Sequence, residues 1–293
     1  MIKSILNILL LFCLLFSKQV FGLEKLTVIL DWFPNPNHAP LFVAQQEGFF
    51  KQQGLDVALI GPANPADGPK LVAANKADIA ITYEPQLLLD QKQGLPLTQI
   101  GALISSPLGC LAVSAKSNIY NIEDLKGKTI AYSTAGVDII TLSKILHSAG
   151  LSIKDVTLIN VNYNLTQALI THRVDAITGI MRNFEVIQME LAGFPVRVFY
   201  PEKYGVPAYP ELIYVANKNN LKANQNKFTK FLDAVKQGED YLQKYPQQSW
   251  ILFAKNHPEL NNELNKRAWF ATLPYFAKNP KNTTAIPAIN PNK

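Results

Sequence analysis

Aromatic, amide and imidazole side chains follow the first predicted strand. This strand is residues 26–30, and the proline-stiffened loop after it carries Trp32, Asn37 and His38. In open α/β sheets, ligands bind beyond the carboxyl ends of the strands, where the connecting loops meet. These side chains suit a flat polar ring, although core packing of Trp32 and turn formation by the asparagines and prolines explain the same loop.

Two more loops of this kind bring polar residues to strand ends. Tyr83 and Glu84 follow the predicted strand 78–82. A carboxylate beside an apolar strand needs a partner, whereas at an exposed helix N-terminus its charge is favoured without one. Ser133 and Thr134 precede a predicted helix, whose free N–H groups could receive an anion or a carbonyl oxygen. Ordinary N-capping explains these two residues nearly as well.

Two further pairs combine a carboxylate with an amide or an aromatic ring. Asn183 and Glu185 follow the predicted strand 174–180, and a glutamate can accept paired N–H donors from the edge of an aminopyrimidine. Tyr209 and Glu211 come before the next strand, and a tyrosine suits stacking on a flat ligand. The alternatives are a surface helix start for the first pair and a closed core or hinge for the second.

Other kinds of chemistry lack their motifs. The histidines are scattered, and there is no GxSxG turn, phosphate loop or GxGxxG run. The sequence therefore predicts no catalytic constellation, no metal site and no cofactor. Cys110 lies in an apolar run, which favours a buried structural thiol. The basic residues are mostly lysines without the clustered arginines and aromatics of a nucleic-acid groove, so no nucleic-acid partner is expected.

Length and composition indicate an exported globular chain. A chain of 293 residues favours two domains. With 48% hydrophobic and 17% charged residues it is not disordered, and two cysteines exclude a disulfide scaffold. Residues 1–22 carry Lys3 and an apolar stretch at 5–16 that is too short to cross a hydrocarbon core of about 30 Å. This layout predicts a cleaved secretory signal peptide, with an uncleaved anchor as the alternative.

Short β-rich runs alternate with helical patterns along the rest of the chain. This alternation predicts an α/β fold with largely parallel strands. The predicted strands are 26–30, 56–60, 78–82, 110–114, 156–162, 174–180, 196–200 and 212–218, with helices at 41–54, 137–150, 165–173 and 226–245. A second α/β block begins near residue 108, and residues 279–293, rich in proline and asparagine, are predicted to form a tail.

Several stretches are similar to a known family. The runs LDWFPNPNHAPLFVAQQEGFFKQQGLDV, DLKGKTIAYST and VDAITG resemble periplasmic solute-binding proteins of ABC importers, over about residues 25–275. The runs DWFPNPNH, GIMRNFE and GVPAYPELIYVANK are more specific. They resemble the family that unites binding proteins for thiamine pyrimidine precursors (formylaminopyrimidine-binding, ThiY-like) with the yeast-type pyrimidine synthase. The family often has aromatic residues where Ile180, Met181 and Arg182 stand.

The resemblance implies a fold and a function. The implied fold is α/β, a two-lobed periplasmic-binding-protein fold (type II-like) in which two hinge strands join the lobes. The lobes would be 23–107 plus 205–278, and 108–204, and they would close on a ligand between them. The implied protein is a periplasmic, monomeric solute-binding component that works with an ABC permease and ATPase at the inner membrane. Its ligand would be N-formyl-4-amino-5-aminomethyl-2-methylpyrimidine or hydroxymethylpyrimidine.

The family motif also implies roles for individual residues. Trp32 and Tyr209 would stack on the ligand, and Glu84, Asn183 and Glu185 would be its hydrogen-bond partners. The remaining residues that match the motif are Asn37, His38, Tyr83 and Glu211.

Two alternatives remain open at this stage. Another solute, such as riboflavin or an alkylsulfonate like taurine, could be the ligand, although a sulfonate binder should offer arginine or a dense anion site at the helix after Thr134. The synthase branch uses lysine-bound pyridoxal phosphate, a substrate histidine and a cysteine-rich run. This chain has Thr82, Gln86 and residues 210–214 (PELIY) at those places, so we expect no enzyme.

Overall fold

The computed structural model describes residues 22–281 and contains two five-stranded sheets. The predicted signal peptide, but for residue 22, and residues 282–293 of the predicted tail lie outside the described residues. The strands are β1 Glu24–Ile29, β2 Leu55–Ile60, β3 Ile79–Thr82, β4 Leu97–Ile104, β5 Gly109–Ser114, β6 Thr129–Tyr132, β7 Thr157–Asn160, β8 Ala176–Met181, β9 Val196–Phe199 and β10 Leu212–Asn217.

Helices cover both sheets. In chain order they are α1 Ala39–Gln46, α2 Phe49–Gln52, α3 Asp67–Ala73, α4 Glu84–Lys92, α5 Ala135–Ser148, α6 Leu165–Ile170, α7 Glu185–Leu191, α8 Leu221–Lys244, α9 Pro246–Asn256 and α10 Glu263–Thr272. None of the helices in the described part of the chain combines the length and the apolar character that crossing a membrane requires.

The two sheets have the same mixed design. The first sheet has the order β2-β1-β3-β10-β4 and the second β7-β6-β8-β5-β9. In the first sheet β1 runs parallel to β2 and β3, whereas β10 is antiparallel to β3 and β4. In the second sheet β6 runs parallel to β7 and β8, and β5 is antiparallel to β8 and β9. Four of the five strands in each sheet therefore point the same way, as expected, and the exceptions are β5 and β10, which each enter their sheet from the other one and run against its direction.

The chain passes between the sheets twice. Residues 105–108 lead from β4 to β5, and residues 200–211 lead from β9 back to β10. This is the predicted architecture of two α/β lobes joined by two connections. The lobe boundaries at 107/108 and 204/205 stay a prediction. Val206 and Tyr209 pack in the buried apolar cluster of the second sheet.

Some elements differ from their predicted form. The predicted helix 41–54 is two helices, α1 and α2, separated at Gly48, whose φ of +75° is a left-handed conformation that glycine adopts without strain. Strand β4 was not predicted, because Thr98 and Gln99 interrupt its apolar pattern. Beside β4, the carbonyl of Pro280 accepts a hydrogen bond of 2.8 Å from the Ala102 N–H. The described start of the predicted tail thus lies along this strand.

Continuous apolar strands and one long helix form the core of the first sheet. Every residue of β3 and β10 is buried, as expected for strands covered on both faces. Helix α8 packs across α1, and Phe231 on α8 stacks on Phe50, with ring centroids 5.6 Å apart. The helices approach closely at Gly238, where a Cβ atom would lie 2.3 Å from the Pro40 carbonyl oxygen.

The close approach of α8 to α1 predicts that Gly238→Ala destabilises the protein. The added methyl group would overlap backbone atoms of α1, which cannot move without shifting the helix. We expect the free energy of unfolding to fall by about 1–3 kcal/mol, despite the higher helix propensity of alanine. Thermal and urea denaturation would measure it. Gln225→Ala, at an exposed position of the same helix, is the control and should leave stability nearly unchanged.

Candidate functional site

A narrow cleft lies between the two sheets. Asp31, Trp32, Asn35, Asn37 and Tyr83 line it from the first sheet, and Leu165, Gly179, Met181, Phe184 and Glu185 line it from the second. Four of the residues predicted from the sequence, Trp32, Asn37, Tyr83 and Glu185, therefore meet on its wall. The loops that carry them follow β1, β3 and β8, so the site lies at the carboxyl ends of strands.

A buried hydrogen-bond network fixes Asp31, which the sequence prediction missed. The Asp31 Oδ1 atom accepts a bond of 2.8 Å from Nε2–H of His38, and Oδ2 accepts one of 3.0 Å from the Tyr83 hydroxyl. The backbone N–H of Asn35 donates to His38 Nδ1 at 3.3 Å, so the imidazole carries its proton on Nε2. His38 is fully buried and does not line the cleft. His38 therefore orients Asp31. In the sequence, the pattern that could have identified Asp31 is an acidic residue directly after a buried strand.

Aromatic rings close the outer side of the cleft. Tyr163, on the loop after β7, lies edge-on to Trp32 with ring centroids 4.6 Å apart, and it also contacts Phe33. Its hydroxyl donates to the Pro62 carbonyl at 2.8 Å, which links the two lobes. Beyond these rings an open groove of about 1210 Å³ shares Trp32 and Glu185 with the cleft. Tyr163 is not among the residues predicted from the sequence, although an aromatic residue in a loop after a strand was a signal for it.

Glu185 presents a carboxylate to the cleft. Its Oε2 accepts a hydrogen bond of 2.8 Å from the Met181 N–H. Burial raises the pKa of Glu185 to about 7, with a smaller increase from the charge of Asp31, while backbone hydrogen bonds lower it. The group can therefore be neutral when the cleft is empty and ionised when a ligand donates hydrogen bonds to it.

The helix start at α5 is satisfied from within the chain. The N–H groups of Ser133 and Thr134 both donate to Asp138 Oδ2 at 2.8 Å, and the Gly136 N–H donates to Gln86 Oε1 on α4 at 3.0 Å. Ser133 and Thr134 do not line the cleft. The backbone donors that the sequence offered to an anion are thus taken by a carboxylate of the protein itself and by an amide of the other lobe.

Asn183 and Glu84 lie next to the cleft but not on its wall. The Asn183 amide donates to Asn37 Oδ1 at 2.7 Å and to Thr272 Oγ1 at 2.6 Å, so it joins the loop after β8 to the first lobe. Glu84 is buried at the start of α4, and burial raises the pKa of its carboxyl group. The structure therefore gives Asn183 a role between the lobes, while the ligand contacts predicted for both residues stay predictions.

Tyr209 and Glu211 lie at the returning chain crossing. The Tyr209 ring is 1% exposed within the core of the second lobe and does not line the cleft. The Glu211 Oε2 atom accepts hydrogen bonds from the N–H groups of Leu108 and Gly109, at 2.6 and 2.9 Å. Burial raises the pKa of Glu211, and these two bonds lower it. Glu211 thus ties one crossing to the other.

The cleft is acidic and aromatic. Asp31 and Glu185 lie on its wall, and neither the cleft nor the outer groove has a lysine or arginine among its lining residues. Within residues 22–281, no group of three or more His, Cys, Asp or Glu residues is placed to hold a metal ion. Cys110 is buried and its Sγ donates to the Ile180 carbonyl at 3.3 Å, which confirms the predicted structural thiol.

The buried carboxyl group of Asp138 predicts a pH-dependent stability. Burial raises its pKa from 3.8 to about 7. The folded state therefore holds this proton more tightly than the unfolded state, and the free energy of unfolding should fall as the pH rises through that window. Asp138→Asn removes this titration, so the variant should gain stability on the wild type between pH 5 and pH 8, by about 3 kcal/mol at most.

Thermal unfolding as a function of pH measures the Asp138 effect. Asp175→Asn is the control, since the exposed Asp175 also accepts a backbone N–H, from Thr129 at 2.8 Å. A difference between Asp138→Asn and wild type that stays constant from pH 5 to pH 8 would contradict the assignment.

Comparison with known proteins reveals relatives of two kinds. A protein of Haemophilus influenzae named for thiamine biosynthesis is 47% identical over 273 residues, which is 93% of this chain and 86% of the relative. The formylaminopyrimidine-binding protein of Halalkalibacterium halodurans is 30% identical over 240 residues, 82% and 73% of the two chains. The 4-amino-5-hydroxymethyl-2-methylpyrimidine phosphate synthase of Saccharomyces cerevisiae is 30% identical over 264 residues, 87% and 77% of the two chains.

Solved structures and a family model agree with this placement. A Candida albicans protein described as having the generic periplasmic binding protein fold superposes with a TM-score of 0.68 at 18% identity, over 88% of this chain and 82% of the other. At that identity the likeness shows the fold, and it confirms the predicted two-lobed architecture. The family model described as NMT1/THI5 like matches residues 35–249. The chain therefore belongs to the NMT1/THI5-like family.

Proposed function

We propose that this protein is the solute-binding component of an ABC importer and that its cleft binds a thiamine pyrimidine precursor. The observation that carries the proposal is the lining of the cleft. Trp32 and Tyr83 offer aromatic surface, Asp31 and Glu185 offer hydrogen-bond acceptors, and no lining residue is basic.

The chemistry of an aminopyrimidine suits this lining. Its flat ring can lie against an indole or a phenol, and its exocyclic amino group supplies N–H donors. Glu185, on the wall and held by the Met181 N–H, is the acceptor for that edge. Asp31, already holding His38 and Tyr83, adds negative charge that favours a donor-rich or cationic ring. Of the two aromatic residues predicted to stack, Trp32 lines the wall, as does the ring of Tyr83, while the stacking role of Tyr209 stays a prediction.

The same features disfavour an alkylsulfonate ligand. An anion would face the charges of Asp31 and Glu185 without a basic partner on the wall. The N–H groups before α5, which could hold an anion, already donate to Asp138 and Gln86. A taurine-like solute would thus lose both attraction and hydrogen-bond donors.

The chain also lacks the reactive groups that a pyrimidine synthase would need. Thr82 is a buried residue of β3 and has no amine to form a Schiff base. The Gln86 amide is held by Asp90 at 2.7 Å and its oxygen by the Gly136 N–H. Among relatives, one carries the name formylaminopyrimidine-binding protein and others are named synthases. These contacts favour binding without catalysis. The protein that we propose works in the periplasm as a monomer that delivers its ligand to a permease and ATPase.

Isothermal titration calorimetry on the purified protein tests the proposed ligand. We expect binding of N-formyl-4-amino-5-aminomethyl-2-methylpyrimidine or 4-amino-5-hydroxymethyl-2-methylpyrimidine. Glu185→Gln should weaken binding by about 1–3 kcal/mol, because a neutral amide is a poorer acceptor and also presents a donor. Glu123→Gln makes the same change at an exposed residue that is distant in sequence from Glu185. It is the matched control, and this variant should bind the ligand as the wild type does.

Tryptophan fluorescence gives a second readout of the same binding. A change that disappears in Trp32→Phe would assign the signal to the cleft, since Trp250 and Trp269 are buried in the C-terminal helices. Binding of riboflavin or taurine, with no heat from either pyrimidine, would overturn the proposed ligand.

A further inference from the structure

A second, smaller cavity adjoins the cleft on its inner side. It has room for about one water-sized group, and Tyr83, Gly179 and Met181 line both spaces. The polar part of its lining is Asp138, Thr141, Thr178 and Glu211. The shared lining residues make the inner cavity an extension of the cleft towards the chain crossing held by Glu211.

Because residue 179 is a glycine, the carboxylate of Asp138 can lie against the wall that separates the cleft from the inner cavity. The φ of Gly179 is +83°, and a Cβ atom there would lie 2.1 Å from Asp138 Oδ1. Both the backbone conformation and the contact therefore require glycine. Asp138 Oδ2 is held by the N–H groups of Ser133 and Thr134, which leaves Oδ1 as the atom that faces Gly179.

Two buried hydroxyl groups lie near Asp138. In the described part of the chain Thr141 Oγ1 makes no hydrogen bond of good geometry, and the Tyr209 hydroxyl lies beside Thr141 and Glu211; the two residues are 6% and 1% exposed. Thr141 lines the inner cavity. A Cβ atom at Gly109, on the same cavity wall, would lie 3.8 Å from Tyr209 Oη. Buried polar groups left unpaired are costly, so this arrangement indicates that a further polar group completes it.

We propose that the inner cavity is a subsite for a hydrogen-bond-donating substituent of the ligand, with Asp138 as its acceptor and Thr141 as a second contact. This inference rests on the proposed function, because it places the pyrimidine ring in the cleft with its amino edge at Glu185. The substituent is the group on ring carbon 5, which supplies a terminal hydroxyl in one candidate ligand and, in the other, an amide N–H that lies before the terminal formyl group. The subsite thus recognises the substituent on ring carbon 5, whereas Glu185 recognises the pyrimidine ring itself.

Charge defines which substituents this subsite accepts. Asp138 and Glu211 both line it, and it has no basic lining residue. A neutral donor gains a strong acceptor there, whereas a phosphate or carboxylate would meet two carboxylates in a buried space. The subsite therefore favours the unphosphorylated precursor over its phosphate ester.

A comparison of two probe ligands tests the subsite. The probes are 4-amino-5-hydroxymethyl-2-methylpyrimidine and 4-amino-2,5-dimethylpyrimidine, which differ only in the hydroxyl group. By calorimetry, we expect the wild-type protein to bind the hydroxymethyl compound about tenfold more tightly, as expected for one buried hydrogen bond to a charged group. Asp138→Asn and Thr141→Val should each reduce that ratio, while Glu185→Gln should weaken both probes alike and leave the ratio unchanged.

Controls separate the subsite from effects on folding. Thr141→Val keeps the shape of the side chain, and Ser249→Ala removes another buried unpaired hydroxyl, outside the cavity, so only the first should change the ratio. Circular dichroism melting verifies that each variant is folded. Equal affinity of the wild type for both probes, or an unchanged ratio in both Asp138→Asn and Thr141→Val, would overturn the subsite and leave the proposed function standing. Failure to bind either probe would overturn the subsite, and failure to bind N-formyl-4-amino-5-aminomethyl-2-methylpyrimidine as well would also overturn the proposed function.

Discussion

The hydrogen bonds from Leu108 and Gly109 to Glu211 hold the two chain crossings together at the base of the cleft. Each lobe has its own sheet and buried cluster, so the relation between the lobes depends on what joins them. A carboxylate that accepts two backbone N–H groups from the other crossing fixes both crossings at one point. Everything on the cleft wall, from Trp32 on one side to Glu185 on the other, is positioned relative to that point.

Backbone N–H groups donate hydrogen bonds to three of the acids around the cleft. Glu185 holds the Met181 N–H, Asp138 holds those of Ser133 and Thr134, and Glu211 holds two more. Burial raises the pKa of Asp138 and of Glu185 to about 7, although the backbone N–H groups that donate to their carboxylates lower it. The result is a space lined by carboxyl oxygens that can accept hydrogen bonds from a ligand. Contacts from one lobe to the other, such as Asn183 to Asn37, hold that space closed.

The sequence predicted the α/β class, the second block near residue 108 and most strand positions, because period and turn residues mark strands buried on both faces. It missed β4, whose polar Thr98 and Gln99 break the pattern, and it could not show that β10 enters the first sheet antiparallel. For the site, loops after strands identified Trp32, Asn37, Tyr83 and Glu185. Asp31 and Asp138 were not predicted as site residues, because their importance depends on which groups donate hydrogen bonds to their carboxylates. Tyr209 and Asn183 were placed near the cleft, but which way a side chain points depends on packing that spacing alone does not encode.

The position of β10 has a consequence for the order in which the chain folds. It lies between β3 and β4, yet it follows the whole second lobe in the sequence. The first sheet therefore has a gap until residue 217 is available, whereas every strand of the second sheet comes from one continuous stretch, 109–199. Long-range strand pairing of this kind is slow, because the entropy cost of closing the loop comes before the strand makes any stabilising contact. The second lobe is thus the part able to fold early, whereas the first lobe waits for β10 and for the helices α8, α9 and α10 that follow it.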